Sequence, residues 1–112
     1  MSNPIEIQEP FQRITAEEAK RLIDQGGVHL IDVREAGENA QVRIANSALA
    51  PLNALLSRPR QYLNEDGIIF YCAEGIRSAV ACEMAAAVGF EKLYNLEGGI
   101  NAWVAKGLPV ER

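Results

Sequence analysis

The chain has 112 residues, 48% hydrophobic and 23% charged, enough for one domain with one core and typical of a globular protein. Its net charge of −4, with acids and bases interspersed and no basic stripe, argues against nucleic acid or an anionic membrane as a partner. No apolar run reaches the length of a membrane span, and the opening Met-Ser-Asn-Pro-Ile-Glu lacks the basic and apolar regions of a signal peptide. The expectation is a cytoplasmic protein whose two cysteines are free thiols; with one histidine they make no metal site, and nothing else asks for a cofactor.

In chain order, residues 1–10 read as a loosely held lead-in and residues 11–112 as a single domain. Phe11 to Ile14 has the character of a short first strand. Thr15-Ala-Glu-Glu18 has the spacing of a capping box, Ala19, Leu22 and Ile23 give the following helix an apolar face, and Gly26-Gly27 stop it. Val28 to Val33 is a strand, with Asp32, Arg34 and Glu35 at its carboxyl end. Glu35 to Asn46 reads as one short helix followed by a loop, and Ser47 to Ala50 as a short, weak strand. Pro51 to Leu63 is helical with Leu52, Leu55 and Leu56 as its apolar face, split or ended by Pro59.

Asn64 to Gly67 turns into the central strand, Ile68 to Tyr71, an unbroken apolar run of the kind buried on both faces of a parallel sheet. A tight loop runs from Cys72 to Ser78. The alanine-rich segment Ala79 to Val88 is a mostly buried helix, with Gly89 beyond its end. Glu91 to Leu96 is the last predicted strand, Glu97-Gly98-Gly99 a turn, Ile100 to Ala105 a short helix carrying Trp103, and Gly107 to Val110 closes the chain. Strands alternating with helices over the whole length predict an α/β fold with a mostly parallel sheet.

The chemistry concentrates at Cys72. Open α/β sheets place their sites at the carboxyl ends of strands, where the next helix offers free N–H groups and a positive dipole end. Gly75 lets the loop take unusual backbone angles, so that successive N–H groups can converge on one anion, and Arg77 adds a fixed cation. Such surroundings lower the pKa of a thiol and leave a nucleophile at neutral pH. His29, the only histidine, begins its strand about three residues, or ~10 Å, from that edge, so activation by a cysteine–histidine dyad is not expected.

Cys72-Ala-Glu-Gly-Ile-Arg-Ser78 with its alanine-rich helix, Gly89-Phe90, Tyr94-Asn-Leu-Glu-Gly-Gly-Ile-Asn-Ala-Trp103, Gly107-Leu-Pro-Val110 and Leu30-Ile-Asp-Val-Arg-Glu35 together resemble a single-domain rhodanese over roughly residues 11 to 110. The resemblance implies a five-stranded parallel sheet flanked by helices on both faces, and sulfur transfer through a Cys72 persulfide. The implied partners are a small sulfur donor such as thiosulfate or a persulfide, and a thiol or protein acceptor. Arg43-Ile-Ala-Asn-Ser47 replaces the His-Ile-Pro-Gly-Ala segment frequent in the family, and Asn39 stands where an aromatic is common. Ala73-Glu74 stands where thiosulfate-using members often carry polar or basic residues, and an acid there disfavours a small dianion.

On this reading Cys72 is the nucleophile and Ala73, Glu74, Gly75, Ile76, Arg77 and Ser78 line the sulfur site. Arg77 serves either a substrate or as a structural partner of Asp32, Glu35 or Glu74, while Asp32 and Arg34 brace the loop edge. Ser78 is expected as the helix N-cap, or as a weak hydrogen-bond partner of the persulfide. Cys82 reads as a buried small hydrophobe, with a resolving thiol as the sharper alternative, set against by a place in the helix that points it into the core or a turn and a half from the loop; Ile76 and Val80 are either isolated apolar residues or a docking patch for an acceptor protein. Two other functions compete. Cysteine phosphatases and arsenate reductases use a similar cysteine–arginine loop, but one residue longer than Ala73 to Ile76, and a shorter loop cradles tetrahedral phosphate badly. A non-catalytic binding module on the same fold would not need the cysteine.

Overall fold

The computed structural model describes residues 8–112. Residues 1–7, most of the predicted lead-in, lie outside the described part. In chain order the elements are β1 (Gln12–Ile14), α1 (Ala16–Gln25), β2 (His29–Asp32), α2 (Ala36–Gln41), β3 (Arg43–Ile44), β4 (Ala48–Leu49), α3 (Leu52–Ser57), α4 (Pro59–Tyr62), β5 (Ile68–Tyr71), α5 (Ile76–Ala87), β6 (Leu93–Leu96), α6 (Gly99–Ala105) and β7 (Val110–Glu111). Five strands form one sheet in the order β1-β6-β5-β2-β4, and every neighbouring pair is parallel.

The alternation of side chains along the strands builds two cores. Ile68, Phe70 and Cys72 turn to one face with Ile31 and Val33, where they meet Leu55 of α3, Leu63, and Ala81, Cys82 and Ala85 of α5. Ile69 and Tyr71 turn to the other with Leu30, where Ala16 and Ala19 of α1 and Ile100 and Trp103 of α6 cover them. Helices therefore lie on both faces, and β5, fully buried, is the strand most enclosed by them. The small residues Ala81, Cys82 and Ala85 let α5 lie close on the sheet, which brings its first turn down onto the carboxyl end of β5.

Local signals hold where side chains report directly on the backbone. Thr15 caps α1 in the predicted box, its Oγ1 accepting from the Glu18 amide at 3.1 Å while Glu18 Oε1 accepts from the Thr15 amide at 2.9 Å. Pro59 divides the helical segment into α3 and α4, standing at the first position of the second piece.

Three expectations need correction. Leu56, assigned to the apolar face, is 39% exposed, because the short α3 buries only Leu55 completely. The helix after the loop begins at Ile76 and not after Ser78, so the loop is tighter than predicted, and its N-cap is Gly75. Leu93–Leu96 is not the last strand: β7 pairs antiparallel with β3, Arg43 opposite Glu111 and Ile44 opposite Val110. Two-residue strands leave no periodicity to read. The β3 segment is also held from below, where the Ile44 amide donates to Tyr71 Oη at 3.1 Å and the Ser47 hydroxyl lies 2.9 Å from the same oxygen.

Gly99 shows how closely the last helix presses on the loop after β5. Its φ is +58°, and an added Cβ would collide with the carbonyl oxygens of Cys72 and Ala73. Those carbonyls are themselves tied to α6, by Ile100 N–H to Cys72 at 2.9 Å and Asn101 N–H to Ala73 at 3.2 Å. Gly99→Ala is expected to destabilise the fold by about 2 kcal/mol or more, a fall of roughly 10 °C in the thermal midpoint of a domain this size. Calorimetry checks it, and a change of only a degree or two would show that the approach is not tight.

Candidate active site

β5 delivers Cys72 to the carboxyl edge of the sheet, pointing to the α5 side. Gly75 then turns the chain with φ +101°, a conformation open to glycine and costly for other residues. A side chain there would also crowd the Leu96 carbonyl oxygen and the Gly98 amide, at 3.3 and 3.4 Å. The turn folds the start of α5 back over the cysteine. The Gly75 N–H donates to Cys72 Sγ at 3.1 Å, the Ser78 N–H at 3.4 Å, and Ser78 Oγ lies 3.4 Å away. Cys72 itself is only 1% exposed. It forms the floor of the loop.

Burial pushes the Cys72 thiol up, but the hydrogen bonds that converge on Sγ, among them those from the amides of Ser78, Gly75 and Glu74, outweigh it and hold the pKa below the ordinary value. Cys82 shows what burial does alone: with no such donors its thiol is pushed up to about 12. It sits in the core among α5 and its neighbours, as a small hydrophobe should. His29 stands at the first residue of β2, exposed, with Nε2 3.1 Å from Glu65 Oε2. It takes no part at the Cys72 edge.

Ser78 lies in the first turn of α5 and does not cap it. Its hydroxyl donates to Asn95 Oδ1 on β6. Asn95 is fully buried, and its amide nitrogen donates to the Gly75 carbonyl at 3.1 Å and to Glu97 Oε2 at 2.6 Å. The two donations fix which end of the amide faces Ser78. Since the single Ser78 proton is directed at Asn95, the thiol of Cys72 has the Ser78 oxygen as its acceptor, and the main-chain N–H groups are the donors left for a thiolate. Sequence reasoning missed Asn95. The signal was a lone polar side chain in an otherwise apolar buried strand, which requires partners.

Asp32 and Arg34 pair with each other, and both are buried. Arg34 donates from Nε at 3.0 Å and Nη2 at 2.8 Å to the Asp32 carboxylate, and from Nη2 to the Val42 carbonyl at 2.6 Å; Asn39 Nδ2 completes the shell at 2.9 Å from Asp32 Oδ2. This cluster ties the end of β2 to α2 and to the residue before β3. Arg77 is not paired with Asp32, Glu35 or Glu74. Its guanidinium forks onto Glu38 of α2, Nη1 to Oε1 at 2.7 Å and Nη2 to Oε2 at 3.0 Å. Glu38 stands at the third position of α2 and also accepts the Glu35 amide at 3.0 Å. Ala73 is half-buried, Glu74 exposed, and Ile76 is 74% exposed beside Val80. No buried side-chain polar atom lacks a partner, and no group of three or more His, Cys, Asp or Glu could hold a metal ion, among the described residues. Nor is any helix among them long and apolar enough to cross a membrane.

A parallel α/β sheet with a cysteine held by main-chain N–H groups between a central strand and its helix defines a cysteine-loop protein. The chain belongs to the family of the rhodanese-like domain, whose model matches residues 15–106. A sulfurtransferase of Allochromatium vinosum is 34% identical over 82% of this chain and 86% of its own. The thiosulfate sulfurtransferase GlpE of Vibrio cholerae is 28% identical over 90% of this chain and 95% of its own. The crystal structure of a rhodanese-related protein from Thermoplasma volcanium superposes with a TM-score of 0.78 at 33% identity, covering 89% of this chain and 97% of that one. Relatives bearing the name sulfurtransferase over most of the chain support a rhodanese-type transferase at the level of the family.

The opposed environments of the two thiols give a pH dependence. A lowered pKa means that thiolate appears at lower pH than for a free cysteine. In a Cys82→Ala variant, the ultraviolet absorbance of thiolate should therefore rise in one step below the ordinary cysteine value. In Cys72→Ser no thiolate should form until the pH approaches about 12. A Cys72 step at or above the ordinary value would show that burial wins over the amides.

Proposed function

We propose that the protein moves sulfane sulfur from a donor to a nucleophilic acceptor through a persulfide on Cys72. The observation that carries this reading is the pair of main-chain N–H groups, of Gly75 and Ser78, aimed at a buried Sγ in a chain whose relatives are named sulfurtransferases. The Cys72 thiolate attacks the terminal sulfur of the donor. A sulfur–sulfur bond forms at Cys72 as the donor's own breaks, and the donor leaves as sulfite from thiosulfate or as a thiolate from a persulfide. The anionic outer sulfur lies in the cradle of loop amides, assisted by the positive end of α5. An acceptor thiolate or other nucleophile then attacks that sulfur, and Cys72 returns as thiolate. A sulfur buried on the floor of the loop suits a donor that presents a bare terminal sulfur.

In this reading Ala73, Glu74, Gly75, Ile76, Arg77 and Ser78 form the cradle and its lip, Asp32 and Arg34 hold the edge on which it rests, and Asn95 keeps the turn at Gly75 in place. Residues 11–112 form the working domain, and its two free thiols suit a reducing compartment such as the cytoplasm. Ile76 and Val80 offer an apolar contact for a protein acceptor.

Incubation with thiosulfate or with cysteine persulfide, followed by intact mass measurement, tests the reading. One added sulfur atom is expected, absent in Cys72→Ser and removed by dithiothreitol. No adduct together with hydrolysis of an aryl phosphate would replace it with phosphatase chemistry, and no adduct with no hydrolysis would leave a binding module.

A further inference from the structure

The connections that leave the carboxyl ends of the five sheet strands, taken with the opening residues of the helices they lead into, span residues 15–18, 33–39, 50–53, 72–78 and 97–101. They carry two cations, Arg34 and Arg77, against six carboxylates, Glu17, Glu18, Glu35, Glu38, Glu74 and Glu97, of which Glu17 and Glu97 pair with Lys106 and Arg13 from outside these segments. Neither cation is free. Arg34 is buried on Asp32, and Arg77 gives both ends of its fork to Glu38. Glu35 and Glu74 are exposed, and neither forms an ion pair with a described residue.

A thiosulfate ion needs more than an amide cradle for its outer sulfur. Its sulfonate end carries charge that remains at the mouth of the loop, and leaves as the dianion sulfite. Arg77 is the one cation on the cysteine loop, and Glu38 already holds the end of its fork through Nη1 and Nη2, so an incoming anion meets a guanidinium whose charge is compensated and whose Nε edge alone is unfilled. The pair also contributes no net charge, so the acids around it set the local sign. Hydrogen bonding to Arg77 holds the Glu38 carboxyl down to about 2, so the pair stays charged at any working pH.

We propose that Glu38, by occupying the Arg77 guanidinium, is the specificity-determining residue that turns the Cys72 loop away from dianionic sulfur donors and towards persulfides carried on thiols. This rests on the sulfur-transfer reading of Cys72. A thiol-borne persulfide meets the site with a terminal sulfur of single charge, which the amides take, and its leaving thiolate needs no cation at the mouth. The step balances as before: one sulfur–sulfur bond is exchanged for another, and the donor departs as its thiolate.

Glu38→Gln tests it without disturbing the local fold, because glutamine keeps the acceptor that the Glu35 amide requires. The second-order rates of sulfur loading from thiosulfate and from cysteine persulfide are measured by intact mass in both proteins. In the wild type the persulfide should load faster, and the thiosulfate rate should rise with added salt as the acidic rim is screened. In Glu38→Gln the ratio of the thiosulfate to the persulfide rate should increase about tenfold at low ionic strength, from one carboxylate removed beside a dianion. An unchanged ratio overturns the proposal, including the case in which both rates fall together, the mark of a merely structural role. A wild type that loads faster from thiosulfate, or whose thiosulfate rate falls with salt, overturns it too, even if the variant proves unstable. Failure of the wild type to gain sulfur from either donor would instead overturn the sulfur-transfer reading itself, and this inference with it.

Discussion

The structure depends on main-chain N–H groups converging on one buried sulfur. That convergence requires the chain to reverse within four residues after β5, and a left-handed turn at Gly75 does so. Left to itself such a turn would be mobile. Here it is pinned on two sides, by Asn95 holding the Gly75 carbonyl from β6 and by α6 holding the carbonyls of Cys72 and Ala73. The sheet order explains why these elements are available. β6 is the immediate neighbour of β5, with Asn95 in register with Phe70, so its side chain reaches the underside of the loop.

The buried polar groups beneath the loop form a connected set: Cys72, Ser78, Asn95 and, at the surface, Glu97 and Arg13. Burying so many polar atoms would be destabilising if any were unpaired. Each has its partner, so the network instead fixes one geometry for the sulfur. A preorganised cradle has nothing to reorganise when charge develops on it, which is the condition under which N–H dipoles stabilise an anion best. Cys82, one turn beyond Ser78 on α5, shares the burial but none of the donors and remains a packing residue.

Much of this was legible in the sequence because it rests on local chemistry. The apolar run Ile68 to Tyr71, the capping box at Thr15, the proline at 59 and the glycine at 75 each report on the backbone around them, and alternation of elements gave the parallel sheet. What escaped depends on partners distant in sequence. Arg77 and Glu38 are 39 positions apart, and nothing local to either distinguishes Glu38 from Glu35 or Glu74 as the partner. Asn95 has its meaning only through Ser78 and Gly75. The β3–β7 ribbon is two residues wide, too short for any pattern, and is held by Tyr71 from another strand. The early start of α5 escaped because Ser78 is a good capping residue by type. The position was taken by a glycine whose conformation leads the chain straight into the helix, leaving the serine free to face the sulfur.

An acidic rim and a lowered thiol pKa are at first sight in conflict, since nearby carboxylates disfavour a thiolate. Distance and solvent resolve it. The amides act in contact, at 3.1 and 3.4 Å, within a site shielded from water. Glu35 and Glu74 are exposed, where water and salt weaken their field, and Glu38 is neutralised by Arg77. The buried sulfur therefore responds chiefly to the dipoles that touch it. A group still outside the loop, with its own charge in solvent, meets the rim first. One arrangement can thus favour an anion on Cys72 while discriminating among the anions that approach it, because the two effects operate at different ranges.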